Sequence, residues 1–322
     1  MATYAIYRIN LLKSSECHLA IYDSEPAAPA SYRLALERVL AEAVIPVYKT
    51  QKDNTKIPLV CTVKKRYNGI TLLMLNNEKT KKYLEGKDRE QLTYHPGCYV
   101  IIDHRSDDIL MAIERIDSFE SKTDKVRDLL QEALNGMLIE KQMQVDIRAR
   151  KIDGAFWECI NERIQQQQDT ITRVSFVLNQ MQNYPKDTPT ALINKLQILS
   201  TLGQATHAAK STLHMEADKD NTLLLDQTQE DIANLVALCC QTGYDIAVKF
   251  KNYGLYRAGD KIRALVDMPT LIIDEFLNSQ TVLGKDEKGE MALAHWFDQI
   301  YQSENLHTDE EPIPQRRKTS RK

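Results

Sequence analysis

The sequence predicts an α+β protein with mixed, mainly antiparallel sheets, packed helices and two domains. Three observations carry this. The hydrophobic period switches repeatedly between two and 3.6 residues, short turn signals join neighbouring β-like runs, and no regular βαβ alternation of a doubly wound sheet is present. The 322 residues are 43% hydrophobic and 27% charged, with 11 Gly and 10 Pro. That composition supports a buried core and excludes a disordered or fibrous chain.

The first third is β-rich. Tyr4–Leu12 and His18–Tyr22 read as a strand pair across the turn Lys13–Glu16, and Ser31–Val44 places Leu34, Leu36, Val39, Leu40 and Val44 at helical spacing. Ile57–Tyr67 and Ile70–Leu75 flank Asn68-Gly69, the dipeptide suited to a type I′ turn because both central residues need positive φ. After His95-Pro96-Gly97, Tyr99–Asp103 pairs with Ile109–Ile116 through the polar loop His104–Asp108.

The period then lengthens. Val126, Leu129, Leu130, Leu134, Met137 and Leu138 form one stripe of a helix over Thr123–Leu138, entered through Thr123-Asp124. Val145–Lys151 alternates Val145, Ile147 and Ala149 with Asp146, Arg148 and Arg150, a strand with a charged outer face. A helix over Ala155–Gln168, a strand over Ile171–Leu178, a helix over Thr190–Leu202 and strands at Ser211–Ala217 and Thr222–Leu225 follow. Asp226 or Thr228 opens a helix carrying Ile232, Leu235, Val236 and Cys239 that stops at Gly243. Strands over Tyr244–Lys251 and Lys261–Val266 and helices over Thr270–Leu277 and Met291–Gln302 complete the chain. The expected division is an N-terminal α+β domain over 1–118, a C-terminal α+β domain over 119–305 and a charged tail over 306–322.

The net charge of -3 hides a polarised chain. Lys49–Glu90 holds eleven Lys/Arg against five Asp/Glu, including Lys64, Lys65 and Arg66 beside the Asn-Gly turn and Lys79, Lys81 and Lys82 after it. Basic side chains on a hairpin can follow a phosphate backbone, and they equally suit a solvated strand edge. A second cluster interleaves cations with aromatics: Lys249, Phe250, Lys251, Tyr253, Tyr256, Arg257, Lys261 and Arg263. Such interleaving fits backbone neutralisation with base stacking. Ala264–Glu311 is acidic, with eleven carboxylates against Lys285 and Lys288, and Gln315–Lys322 is basic.

Six cysteines, Cys17, Cys61, Cys98, Cys159, Cys239 and Cys240, show no metal-ligand spacing and read as reduced, mostly buried residues. No run approaches a membrane span and no signal-peptide pattern occurs, which predicts a cytoplasmic protein without membrane insertion. GxxxxGK[ST], GxGxxG, HExxH, GxSxG and SxxK are absent, so no cofactor is expected and no catalytic residue is assigned. The enzymatic alternative is a Mg²⁺-dependent nuclease using Asp103 with Asp107, Asp108 and Glu114, or Asp245 with Lys249.

The order of elements adds a family resemblance. The strand Tyr4-Ala5-Ile6-Tyr7-Arg8, the hairpin ending in Ile109–Ile116, the helix Thr123–Leu138 and the strands Val145–Lys151 and Ile171–Leu178 resemble the layout of RexA-type phage-exclusion proteins. The layout is similar also to DNA-binding accessory proteins of bacterial phage-defence systems such as KwaB. The resemblance covers residues 1–180 and rests on spacing and hydrophobic pattern. It implies a cytoplasmic, dimeric protein that binds duplex DNA with little sequence preference and acts with a partner encoded nearby. The leading expectation is therefore a nucleic-acid-binding component of an anti-phage defence module, DNA in preference to RNA. A third alternative is an interaction subunit using the helix Thr123–Leu138 and the acidic segment Ala264–Glu311.

Overall fold

The computed structural model describes residues 1–13, 31–51, 53–77, 79–85, 88–94, 96–116, 119–178, 183–206, 208, 210–218, 221–278 and 288–308. The elements are β1 (Ala2–Lys13), α1 (Tyr32–Val39), β2 (Val47–Thr50), β3 (Lys56–Leu59), β4 (Cys61–Tyr67), β5 (Ile70–Asn76), β6 (Lys79–Glu85), β7 (Asp88–Tyr94), β8 (Gly97–Asp103), β9 (Leu110–Glu114), α2 (Thr123–Leu138) and β10 (Met143–Ala149). They continue with α3 (Asp153–Asn161), β11 (Ile171–Leu178), α4 (Thr190–Ala205), β12 (Ser211–Glu216), α5 (Glu230–Thr242), β13 (Ile246–Phe250), β14 (Gly254–Arg257), β15 (Leu265–Met268), α6 (Thr270–Asn278) and α7 (Lys288–Tyr301). Helices and antiparallel sheets together give the expected α+β fold. The expected strand His18–Tyr22 lies outside the described residues.

The large sheet runs β10-β1-β9-β8-β5-β4. β15 lies end to end with β10 along one edge of β1, because Ala2–Ala5 pair with β15 and Tyr7–Lys13 with β10. Helices cover both faces. Leu36 and Val39 of α1 and Val126, Leu130 and Leu134 of α2 pack on Tyr7, Ile9, Val100, Ile102 and Met111. Ile273 and Phe276 of α6 and Trp296, Phe297 and Ile300 of α7 pack on Tyr4, Ile6, Leu72, Ile101 and Ala112. The Asn68-Gly69 turn is as expected, with φ of 44° and 79°.

The expected boundary at residue 118 does not coincide with a break in this sheet. α2, β10, β15, α6 and α7 all complete the unit begun by β1–β9, since β1 needs partners on both edges and its sheet needs cover on both faces. The break lies instead at residues 152 and 262. Lys151 bridges Arg263, and Ile152 N–H donates to the Ile262 carbonyl at 2.8 Å. The chain thus leaves the large sheet and returns to it at one point. In between, a second sheet in the order β12-β11-β13-β14 carries α3, α4 and α5 on one face around Phe156, Ile160, Phe176, Leu196, Val236 and Val248. The expected strands Thr222–Leu225 and Lys261–Val266 reduce to a bridge at Leu223 and to β15 after a 3₁₀ turn.

β1 ties the two cores together. On one face its residues alternate through Tyr4 and Ile6 in the first core to Leu12 against the second, and between them Arg8 and Asn10 are fully buried. Asn10 Nδ2 donates to the carbonyls of Asp146 (3.1 Å) and Thr242 (3.0 Å), and its Oδ1 accepts from Arg8 Nε at 3.2 Å. Arg8 also pairs with Asp108 and donates to the Asn183 carbonyl. The expected charged outer face of Asp146, Arg148 and Arg150 is not an outer face: Arg148 lies over the Tyr244 ring of the inserted unit, and Arg150, 4% exposed, donates to the Ile300 carbonyl in α7. Gly243 ends α5 with φ of 76°, and a Cβ there would meet Arg148 Cβ at 2.5 Å. Glycine is therefore required both by conformation and by close approach.

Asn183 continues β1 where β9 ends. Its Oδ1 accepts from Leu11 N–H at 2.7 Å, and its Nδ2 donates to the carbonyls of Ile9 (3.1 Å) and Asp107 (2.7 Å). Asn183→Ala strands these buried backbone groups, and the expected loss is about 2–3 kcal/mol. Chemical denaturation checks it; a change below about 0.5 kcal/mol, the range of surface substitutions, would contradict this role.

Candidate functional site

The inserted sheet buries one face under its helices and exposes the other. Strand alternation places Arg173, Ser175 and Val177 of β11 on the open face, and pairing brings Glu216, His214 and Thr212 of β12 beside them. On the opposite side Lys249 and Ala247 of β13 pair with Arg173 and Ser175, and Leu255 and Arg257 of β14 complete the rows. Arg173 thus has Glu216 on one side and Lys249 on the other. Two cations directly opposite across a ladder repel each other.

The β13–β14 turn is fixed at the end of this face. Asp169 accepts backbone N–H bonds from Thr170 (2.8 Å), Asn252 (3.0 Å) and Tyr253 (2.8 Å). Burial raises its pKa, but these bonds outweigh burial and leave it below the usual carboxylate range. The helix α3 runs on into a π-turn over Glu162–Gln166, which sets the Arg163 guanidinium 3.3 Å from the centre of the Tyr253 ring. Tyr253 is nonetheless 46% exposed, a held aromatic surface next to Lys251.

The expected second cluster is therefore divided. Lys249, Lys251, Tyr253, Arg257 and Lys261 are exposed. Tyr256 points the other way, into the core against Phe156, and Phe250 is buried. Arg263 is committed to the junction: it donates to Asp124 at 2.6 Å and lies over the Tyr7 ring. That ion pair outweighs the effect of burial and lowers the Asp124 pKa. Arg163 and Arg173 were not singled out by the sequence; alternation with Val174 and Phe176 was the available sign for Arg173.

The first cluster is divided too. Lys64 and Arg66 are exposed on β4, the edge strand, but Lys65 donates to the Phe276 carbonyl at 2.7 Å and lies over its ring, which docks β4 on α6. A bulge between Val63 and Lys65 produces this turn of face. Lys79, Lys81 and Lys82 lie on β6, paired with β7, and their side chains lie outside the described residues.

The carboxylates expected for a metal nuclease are separated. Asp103 is fully buried and clamped by Arg105, with Nε at 3.0 Å from Oδ1 and Nη2 at 2.8 Å from Oδ2. Arg105 reaches Asp298 as well, and although burial opposes it, these two carboxylates raise the guanidinium pKa. Asp108 pairs with Arg8, Asp107 with Arg33, and Glu114 accepts from Tyr99 N–H. Asp245 faces Arg148 and Lys151. Among the described residues no three His, Cys, Asp or Glu side chains gather to hold a metal ion. Cys61, Cys98, Cys239 and Cys240 are buried and unbridged, and burial pushes the Cys61 and Cys239 thiols up to about 12. The apolar stripe of α2 is likewise spent on the sheet, which removes it as a docking face.

No protein-family model, curated protein or solved structure matches the chain. No described helix is long and apolar enough to cross a membrane.

Two outcomes test these assignments. Arg105→Ala leaves Asp103 buried and unpaired, and the expected cost is about 3–5 kcal/mol, read by denaturant unfolding; a near-neutral result would contradict the clamp. His104 is buried, with Nε2 at 3.0 Å from Thr71 Oγ1. Burial, opposed by Glu37 and Asp103 and aided by Arg33 and Arg66, holds its pKa below 6.5. The unfolded chain therefore takes up the proton first, so this stability is complete above about pH 6.5 and is lost as pH falls below it. Melting temperature should drop between pH 7.5 and 5.5, less steeply in His104→Gln; parallel slopes would refute the assignment.

Proposed function

We propose that the protein binds nucleic acid through its phosphates, with little base reading, on the open face of the inserted sheet. The observation that carries this is the cationic excess on that face: in one row Arg173 and Lys249 stand side by side against the single carboxylate of Glu216, with Arg257, Lys251 and the Arg163–Tyr253 stack at its margin. Like charges side by side cost stability in the free protein and gain from a polyanion laid across them. The fixed Tyr253 ring supplies a stacking or sugar contact. Lys64 and Arg66 on the edge strand β4 offer a further phosphate contact.

Double-stranded DNA is the favoured ligand, and the resemblance of the element order to the layout of phage-exclusion proteins supports a role as the DNA-binding component of an anti-phage defence module. Self-association and a partner encoded nearby belong to the same reading.

Gel-shift titration at two salt concentrations tests this. Affinity should fall steeply with salt, and Lys249→Glu with Arg257→Glu should reduce the log–log slope by about 2, since each phosphate contact contributes about 0.9. Tyr253→Ala should weaken binding of single-stranded DNA by about 1–3 kcal/mol per stacked base and leave duplex binding little changed. No retention of DNA or RNA at low salt would sink the proposal; an unchanged slope in the double variant would move the interface elsewhere.

A further inference from the structure

The edge strands of the molecule are treated differently. On β10 the outward N–H and C=O groups of Val145 and Ile147 bond to Arg127, Gln131 and Asn135, spaced one turn apart along α2. On the first half of β4 the Cys61 carbonyl accepts from Ile45 N–H, and Val63 N–H donates to the Ala43 carbonyl. The edge strand β12 of the inserted sheet has no such cover. Ala217 N–H donates to the Thr172 carbonyl at 2.9 Å, so alternation along the register turns the backbone of Ser211, Leu213 and Met215 to β11 and that of Thr212, His214 and Glu216 outward. Among the described residues no hydrogen bond reaches these three outward pairs of N–H and C=O groups.

An uncovered edge is a template for another strand, and β12 is complementary to itself. Only outward residues form hydrogen-bonded pairs across a new antiparallel ladder. Centred on Leu213, such a ladder sets Thr212 opposite His214 of the partner subunit and Lys210 opposite Glu216 of the partner subunit, and symmetry repeats both pairs. Lys210 and Glu216 are exposed, and opposite charges at directly opposed positions stabilise a ladder. Centring it on Thr212 would instead set Lys210 opposite a histidine, and centring it on His214 would set the two histidines opposite each other. On the helix-covered face the Leu213 register brings Leu213 against its own copy and Met215 beside Ser211, which completes the burial of two apolar side chains left half-buried at the edge. The later half of β4, with Lys64 and Arg66, and β14, with Arg257 beside Lys251, are basic edges on which a second copy would set like charges together. We propose that β12 pairs antiparallel with β12 of a second copy of this chain, in the register centred on Leu213. The two-fold axis then stands perpendicular to the sheet, and two four-stranded sheets become one continuous sheet with both open faces on the same side. This gives an interface to the self-association in the reading above and rests on that part of the reading alone, not on nucleic-acid binding.

Sedimentation equilibrium of the full chain without nucleic acid tests it. A single strand pair is a small interface, so the mass should rise from one chain towards two over roughly 1–100 μM protein. Lys210→Glu sets like charges together at both symmetric pairs and should raise the dissociation constant about tenfold. Combining it with Glu216→Lys restores opposite charges and should return the constant to within about twofold of wild type. Thr212→Pro removes one outward N–H and none of the ladder to β11, so this variant should fold and stay monomeric. A wild type that is monomeric across the range overturns the proposal, and so does an association that Lys210→Glu leaves unchanged or that the double variant does not restore. The charge variants decide the matter if Thr212→Pro fails to fold. With nucleic acid absent, a monomeric result leaves the phosphate-binding face standing, and loss of DNA retention in the gel-shift titration leaves this interface standing.

Discussion

Arg8 and Asn10 occupy one face of a strand whose neighbours on that face are apolar in both directions, Tyr4 and Ile6 ahead and Leu12 behind. A strand that belongs to two cores must cross the seam between them, and at the seam the inserted unit offers backbone carbonyls instead of side chains. Asn10 meets one of these, at Thr242, together with the Asp146 carbonyl of β10, while Arg8 meets Asp108 and the Asn183 carbonyl. An apolar residue at either position would leave those acceptors buried and unpaired, which is why polarity persists where the alternation alone would allow leucine. The same network fixes the angle between the sheets, since its partners come from β10, α5 and the segment before α4.

The inserted unit enters and leaves through a single antiparallel bridge, Lys151 to Arg263. Lys151 is buried there, its Nζ donating to the carbonyls of Gly243 (3.2 Å) and Tyr244 (2.9 Å), and burial lowers its pKa. The C-terminal end of α5 thus receives a cation, as the helix dipole favours, and Gly243 lets the backbone of α5 approach β10. Because the attachment is made at the helix side of the second sheet, the opposite face is left without cover. Its exposure follows from where the insertion is joined.

Local signals were legible in the sequence. Asn68-Gly69 set a two-residue turn, and the stripe from Val126 to Leu138 set α2, because both depend on residues a few positions apart. What the sequence did not disclose depends on distant partners. The alternation of β10 was clear, yet Asp146, Arg148 and Arg150 look the same whether they face water or a second unit that begins after them and ends a hundred residues later. The acidic reading of Asp103 failed for a related reason: Arg105 is its neighbour in sequence, but only the bend after β8 turns the guanidinium back onto the carboxylate. In the basic cluster after β13, Tyr253 lies in the turn and stays outside while Tyr256 of β14 faces the core, a difference set by where the turn falls.

Cations are held in two ways in the molecule, and burial gives the two cases opposite characters. The Arg173–Lys249 row is at the surface, where water and salt screen the repulsion, so holding it costs little and any ligand it attracts competes with counterions. A polyanion suits that situation, since it gains from many weak, screened contacts at once. Arg150 is shielded by β1 and α7, where screening is poor and a lone charge is expensive. Its Nη groups are accordingly given to the Ile300 carbonyl and to Ser303 Oγ. In the acidic C-terminal segment Asp298 pairs with Arg105 and Asp267 accepts from Thr3, both while exposed to solvent, so their charge is screened like that of the Arg173–Lys249 row and unlike that of Arg150.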